Sequence, residues 1–426
     1  MPRVDTLRRA PTRADEGRFD DDGAMTWQRT RRRWLASAAV CLTAPLALPA
    51  IADPAWDATL KAARGQTVYF NAWAGSERIN AYLQWAAAEL MRAHGVKLVH
   101  VKVGDTAEVV QRIRAEKAAG KAEGSADLVW INGENFAALK REGLLFGPFA
   151  EALPAYANVD TAGKPTTRVD FSEPVAGMEA PWGMAQLTFY ADRTRVPQAP
   201  QSAAELLAWT RAHPGRFTYP KPPAFHGTTF LKQVMTELAP DRAALYAPMT
   251  SERFVSTTAP FWAYLDQLHP QLWRQGRQFP ANNIVMRQML ADGELWISLT
   301  FNPNEAANEI VAKALPASVY SYQHTAGTIG NTHFLAIPFN ARAKAGAQVV
   351  ADFMLSPAAQ ARKADIAAWG DPTVLAVERL PAPQQALFAA QTNAPGAVVK
   401  PAPALPEPHA SWIEALEREW LRRYGQ

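Results

Sequence analysis

Cysteine is nearly absent from this 426-residue chain: Cys41 is the only one, and a single thiol allows neither an intramolecular disulfide nor a cysteine-rich zinc site. The eight histidines form no His-x-x-x-His pair, and the sequence has no Gly-x-Ser-x-Gly elbow, no Gly-x-x-x-x-Gly-Lys-Ser/Thr loop and no Gly-x-Gly-x-x-Gly fingerprint. Catalytic residues, a resident metal and a cofactor are therefore not expected. A dominant charge is missing too. The formal charge is +4, but nine Arg and six acidic residues fall within residues 1–52, which leaves the remainder within one charge of neutral. Nucleic acid, whose phosphates call for clustered Lys and Arg, is not an expected partner. No apolar run is convincing as a membrane span. What the chain does have is 48% hydrophobic residues, 14 Trp and 33 Pro, which at this length fits a globular protein of two or more compact units.

Residues 1–52 read as an export signal. Thr30-Arg31-Arg32-Arg33-Trp34-Leu35 resembles a twin-arginine (Tat) motif. An uncharged stretch follows, broken by Pro45 and Pro49, and ends in the small-x-small cleavage site Ala50-Ile51-Ala52. Met25 stands just before the arginines, and the acidic stretch ahead of it is foreign to a signal's basic start, so Met1 and Met25 are both candidate initiators. Val40 is too bulky to precede a lipoprotein cysteine, so Cys41 is expected to leave with the signal. A periplasmic destination follows.

From Asp53 onward, strand-like and amphipathic segments alternate. Thr67–Asn71 reads as a strand followed by a helix capped by Ser76 and carrying Ile79, Leu83, Ala86 and Leu90 on one face. Leu98–Val103 and Asp127–Ile131 begin two further βα units, the first capped by Asp105, and three such units call for a parallel, doubly wound sheet. Residues 53–185 plus 327–360 are expected to form one lobe and 186–326 the other, with 361–426 a helical and Pro-rich tail packing on both. In the second lobe, Ser202-x-x-Glu205 reads as a capping box, Phe217-Thr218-Tyr219 as a short strand, and Thr228-Thr229 as a helix start. Ser411-x-x-Glu414 reads as the box opening the last helix. Tyr320 and Tyr322 fall on one strand face, which reads as packing.

The feature that recurs is a strand ending in small or amide residues before a helix. It is found at Asn71-Ala72-Trp73-Ala74-Gly75-Ser76, Trp130-Ile131-Asn132-Gly133-Glu134-Asn135, Phe225-His226-Gly227-Thr228-Thr229 and Asn302-Pro303-Asn304-Glu305. Each offers free N–H groups at a helix start beside aromatic or polar side chains, a pattern suited to capture of a small ligand. Competing structural roles are plain. Ser76 and Thr228 are good N-caps, Asn132 and Asn302 suit turns, Glu134 and Glu305 complement helix dipoles, and any one Trp can be core.

Tyr69–Gly75, Asp127–Phe136, Pro181–Gln186, Phe301–Ala306 and Gly330–Pro338, with the helix ending Leu355–Gln360, resemble the YnjB-type group of ABC-transporter solute-binding proteins. The resemblance spans residues 65–425 and implies an α/β, two-lobed type 2 periplasmic-binding (Venus-flytrap) fold with discontinuous lobes. It further implies a monomeric clamp that closes on a small polar solute and delivers it to an inner-membrane permease driven by a separate ATPase. The expected ligand-binding residues are Asn71, Trp73, Ser76, Trp130, Asn132, Glu134, Asn135, Trp182, Thr228, Thr229, Asn302, Asn304 and Glu305. Aromatics beside Glu134 and Glu305 suit a cation, and a thiamine-like compound leads. Helix N-termini facing a cleft would instead suit a phosphorylated solute. The rival expectations are a secreted two-lobed enzyme and a module presenting its ligand to a signalling receptor.

Overall fold

The computed structural model describes residues 54–391, 394–399 and 401–425, and residues from Ala52 onward form one compact unit. The expected export signal, both candidate initiators and Cys41 lie outside the described residues. Among the described residues, no helix is long and apolar enough to cross a membrane.

The chain opens with α1 (Pro54–Ala63) and three βα units. These are β1 (Thr67–Trp73) with α2 (Glu77–His94), β2 (Lys97–Val103) with α3 (Thr106–Ala118), and β3 (Leu128–Ile131) with α4 (Glu134–Arg141). The helices form where the apolar spacing predicts them. Ile79, Leu83, Ala86 and Leu90 are buried on α2, which ends at Gly95 with φ 65°. Asp105 caps α3 by accepting the Ala107 N–H at 2.8 Å. Short strands β4 (Leu145–Phe146), β5 (Val169–Asp170) and β6 (Glu173–Pro174) lead to β7 (Glu179–Gln186), after which the chain crosses to the second lobe.

That lobe holds β8 (Thr188–Asp192), α5 (Ala203–Ala212), α6 (Phe225–Leu238), α7 (Ser251–Leu268), α8 (Asn283–Ala291), β9 (Ile297–Thr300), α9 (Glu305–Val311) and β10 (Val319–Tyr322). The return runs through β11 (Thr328–Pro338), α10 (Lys344–Leu355), α11 (Pro357–Ala364) and α12 (Ala382–Gln385) to β12 (Ala404–Leu405) and α13 (Ser411–Tyr424).

In the larger sheet β2, β1 and β3 are parallel, as expected, but β11 pairs antiparallel with both β3 and β7. The sheet is therefore mixed, for a topological reason. β1, β3 and β7 run toward the cleft, whereas β11 re-enters from the second lobe and must run away from it. The second lobe contains the antiparallel sheet β10-β8-β9. Its core joins Phe189, Phe217, Phe230 and Phe261 to Trp412, Leu416 and Trp420 of α13. The first lobe's main core gathers Val68, Phe70, Leu83, Trp182, Leu335 and Trp369.

Three local expectations are corrected. Residues 217–219 are not a strand, although Phe217 and Tyr219 are fully buried; Pro220, Pro222 and Pro223 follow at once and cannot donate to a ladder. Helix α6 starts at Phe225 rather than Thr228, since the Gly227 and Thr228 N–H groups already bond Ala224 O. Ser411 makes no capping box, because its hydroxyl accepts the Met249 N–H at 2.8 Å and lies 2.8 Å from His409 Nδ1.

Candidate functional site

The cleft is floored by the ends of β1 and β3. At the far end of these strands Asp127, just before β3, accepts the Tyr69 N–H on Oδ2 at 3.0 Å and the N–H groups of Arg342 and Ala343 on Oδ1 at 2.8 and 3.0 Å. After β3 the chain turns at Gly133, whose φ of 63° and ψ of −133° suit glycine alone. A Cβ there would lie 3.0 Å from the Phe171 ring. The Gly133 N–H donates to Asp170 Oδ2 at 2.6 Å, and Glu134 follows as the first residue of α4.

Facing Glu134 is a group of charges from elements far apart in sequence. Lys232 of α6 donates to Glu407 Oε2 at 2.6 Å, and both side chains are at most 2% exposed. Glu407 also accepts from Asn331 Nδ2 at 3.0 Å. The Lys232 ammonium lies 4.6 Å from the Phe171 ring and 5.7 Å from that of Phe225, one on each side of the cleft. Thr228 donates to Glu417 Oε1 at 2.6 Å. Glu134 is open to solvent yet crowded by protein on both sides of the cleft, and this desolvation holds its carboxyl above the usual range. Desolvation raises Asp170 and Glu417 likewise. His226, beside Phe225, is pushed down to about 4 by its enclosure and is a neutral imidazole. A crevice of about 330 Å³ lies beside Glu134, lined by residues of α3, α4 and the start of α13 that include Gln111, Arg114, Asn135, Arg141 and Glu414.

The expected aromatic residues separate. Trp130 is half-buried, with its ring 5.2 Å from Trp182 and 5.8 Å from Trp369. Trp182 is fully buried among Trp130, Trp369, His333, Phe70 and Tyr82, so its ring is spent on packing. Beneath them, Asp371 bonds His333 Nε2 at 3.0 Å and accepts from Lys363. Trp73 is half-buried and folds over Gly75.

Several polar candidates are already occupied by protein partners. Asn71 is buried and its Oδ1 accepts from Arg112. The Thr229 hydroxyl donates to Phe225 O at 2.8 Å. Asn302 and Asn304 donate to Trp369 O and Gly370 O at 3.3 and 2.7 Å, tying the second lobe to a loop of the first. Glu305 accepts from Thr300 and faces Arg287 at 3.3 Å, which compensates its charge. Ser76 stands at the N-cap of α2 without a capping bond. Asn132 and Asn135 are half-buried beside Glu134. Sequence reasoning missed Asp170, Phe171, Phe225, His226, Lys232, Glu407 and Glu417. Only Phe225 and His226 carried a usable signal, since they belong to a turn already singled out.

Comparisons with known proteins agree with this architecture. A family model described as bacterial extracellular solute-binding protein matches residues 85–392. The protein YnjB of Escherichia coli K12 is 49% identical over 371 residues, 87% of this chain and 94% of that protein. Among solved structures, the periplasmic binding protein AfuA of Actinobacillus pleuropneumoniae aligns with a TM-score of 0.58 at 14% identity, covering 84% of this chain and 99% of its own. PotD of Streptococcus pneumoniae aligns with a TM-score of 0.56 at 12% identity, over 84% and 98% of the two chains.

Proposed function

Because this chain belongs to the bacterial extracellular solute-binding protein family, we propose that its cleft selects a small organic cation, with a thiamine-like compound the first candidate and a polyamine the second. Solute-binding proteins of this family work with ABC-transporter permeases, and delivery to an inner-membrane permease after Tat export is the proposed route. The structural neighbours bracket the choice of solute. PotD of Streptococcus pneumoniae is a spermidine/putrescine transporter's substrate-binding protein, whereas AfuA was solved with fructose 6-phosphate bound. The shared fold therefore accepts either sign, and local charge has to decide.

One observation carries the cationic reading. Glu134, Asp170, Glu407 and Glu417 gather around a single ammonium, that of Lys232, which Glu407 already neutralises. A cation gains from this surplus of carboxyls, while a phosphate would meet no free ammonium among them. Glu134 and Glu417 are the proposed charge partners, with Trp130, Trp73, Asn132, Asn135, Thr228 and His226 as neighbouring contacts. Trp182 and Thr229 drop out, since both are fully enclosed.

The test is tryptophan fluorescence with thermal melting on protein beginning at Asp53, titrated with thiamine, thiamine phosphate, spermidine, putrescine and fructose 6-phosphate. Saturable quenching and a raised melting temperature with a cation are expected. A response confined to fructose 6-phosphate would sink the reading. Glu134→Gln should weaken the cation about tenfold to a hundredfold, the worth of one charge-assisted contact. Unchanged affinity would remove Glu134 from the site.

Binding should also depend on pH. A cation prefers ionised carboxylates, so it lowers the raised pKa values of Glu134 and Glu417 and releases protons. Affinity should thus rise as pH climbs from the ordinary carboxylate range through their raised values. Calorimetry in two buffers of different ionisation enthalpy measures the released protons, and a pH-independent affinity without proton release would contradict this prediction.

A further inference from the structure

We propose that residues 401–407 form a strap along the hinge between the lobes, fastened by the Gln186 amide, and that this strap restrains lobe opening and positions Glu407 and Lys232 at the cleft. The restraint stands apart from the identity of the solute; the effect on affinity rests on the cationic-solute reading. Two crossings run side by side. Strand β7 passes into β8 through Gln186, Leu187 and Thr188, and β11 returns beside it, with Gly330 opposite Gln186 and the Leu187 N–H donating to Ile329 O at 2.8 Å. These crossings are the hinge. The chain changes lobe a third time between Phe388, in the first lobe's core, and Trp412, in the second's. Within that stretch β12 lies on the hinge itself, paired in parallel with Thr328 and Ile329.

Pro401, Pro403 and Pro406 crowd the strap, which keeps it extended and leaves it few N–H donors. It is therefore gripped mainly by its carbonyls. Gln186 Nε2 lies 3.1 Å from Ala402 O, 3.2 Å from Pro403 O and 3.0 Å from Thr328 Oγ1, so one amide joins both crossings to the strap. The Thr328 N–H donates to Pro403 O at 3.1 Å, and the Ala402 N–H to Gln323 Oε1 at 2.9 Å. Two glycines of the hinge make room for this close approach. A Cβ on Gly327 would lie 2.7 Å from Pro403 O, and one on Gly330 3.0 Å from Ala404 Cβ.

The strap ends in the candidate site. The Glu407 carboxylate accepts from Lys232 of the second lobe and from Asn331 of β11, and its carbonyl accepts from Ser172 Oγ of the first lobe at 3.1 Å. Separating the lobes must break the Ser172 bond or pull Glu407 away from Lys232, and the second course strands a buried charge. Helix α6 repeats the link from the other side. Gln233, the neighbour of Lys232, donates to Gly327 O at 3.1 Å and accepts the Ile329 N–H at 2.7 Å, so adjacent residues hold the hinge and the ion pair. Gln186 acts on Glu407 through the strap, which makes it a positioning residue.

The deciding experiment combines hydrogen exchange, small-angle scattering and titration on protein beginning at Asp53. In wild type the Thr328 and Ala402 N–H groups should exchange slowly with or without solute, and free exchange of both overturns the strap without any variant. Gln186→Met keeps the length of the side chain and removes the amide. It should raise the radius of gyration of the solute-free protein by about 1 Å, against roughly 21 Å for a compact chain of this size. Spermidine or thiamine affinity should fall about tenfold, since binding must then also close the lobes. Gly330→Cys with Ala404→Cys, added to Gln186→Met, sets a thiol pair across hinge and strap in a chain with no cysteine after Cys41. Oxidation should restore the wild-type radius and affinity and reduction should undo both, a reversal that a mere loss of packing would not show. An unchanged radius in Gln186→Met, or no response once the disulfide has formed, overturns the restraint. Unchanged affinity at an increased radius overturns the positioning role. If neither probe binds wild type, the cationic-solute reading fails instead, and exchange and scattering alone decide the strap.

Discussion

Lys232→Met is expected to cost about 3–5 kcal/mol of stability, the usual consequence of leaving one partner of a buried ion pair alone. Among the described residues Glu407 would keep only Asn331 as a side-chain partner, in a position with 1% exposure. The ammonium also lies over Phe171 of the first lobe and Phe225 of the second, so its loss removes a contact that spans the cleft. Adding Glu407→Gln to Lys232→Met should recover much of the deficit, because the stranded charge goes with it. Urea denaturation of the two single variants and the double variant gives the coupling energy. Additive losses would mean that the pair does not act as a unit in the folded protein.

Trp182→Ala should be about as damaging, at roughly 3–5 kcal/mol, since it empties a site walled by several other rings. The indole has 0% exposure, and its nearest ring centroids are those of Trp130 at 5.2 Å, Trp369 at 5.4 Å and His333 at 5.5 Å. Trp130→Ala should cost less, because that ring is only half-buried, but should reduce ligand-induced quenching more. The two denaturation midpoints and the two titrations separate the roles. Equal stability losses with equal loss of quenching would refute the division of Trp182 into core and Trp130 into site. Gly183 next to Trp182 points the same way, for a Cβ there would lie 2.0 Å from His333 Nε2 and 2.1 Å from Asp371 Oδ2.

The contrast between Trp130 and Trp182 shows what could be read in advance. Both stand on strands that end near Gly, and the local pattern offers each as core or as ligand platform. Only the covering of Trp182 by Tyr82 and Phe70 separates them. Asn302 and Asn304 teach the same lesson from the opposite lobe. Their turn was legible, yet their amides are taken by the Trp369 and Gly370 carbonyls, which lie more than 60 residues away in sequence.

The sequence by itself determined the βα units and the glycine turn that leads into α4, because strand alternation, helix period and turn chemistry are local properties of the backbone, and the family was legible through the resemblance of its motifs. Tertiary structure alone decided the reversed direction of β11, the burial of Trp182, and the meeting of Asp170, Lys232, Glu407 and Glu417 around Glu134. A charge becomes costly, or useful, only through what surrounds it. Those surroundings come from distant segments, Lys232 and Glu407 being 175 residues apart and Thr228 and Glu417 189, and no periodic pattern links them.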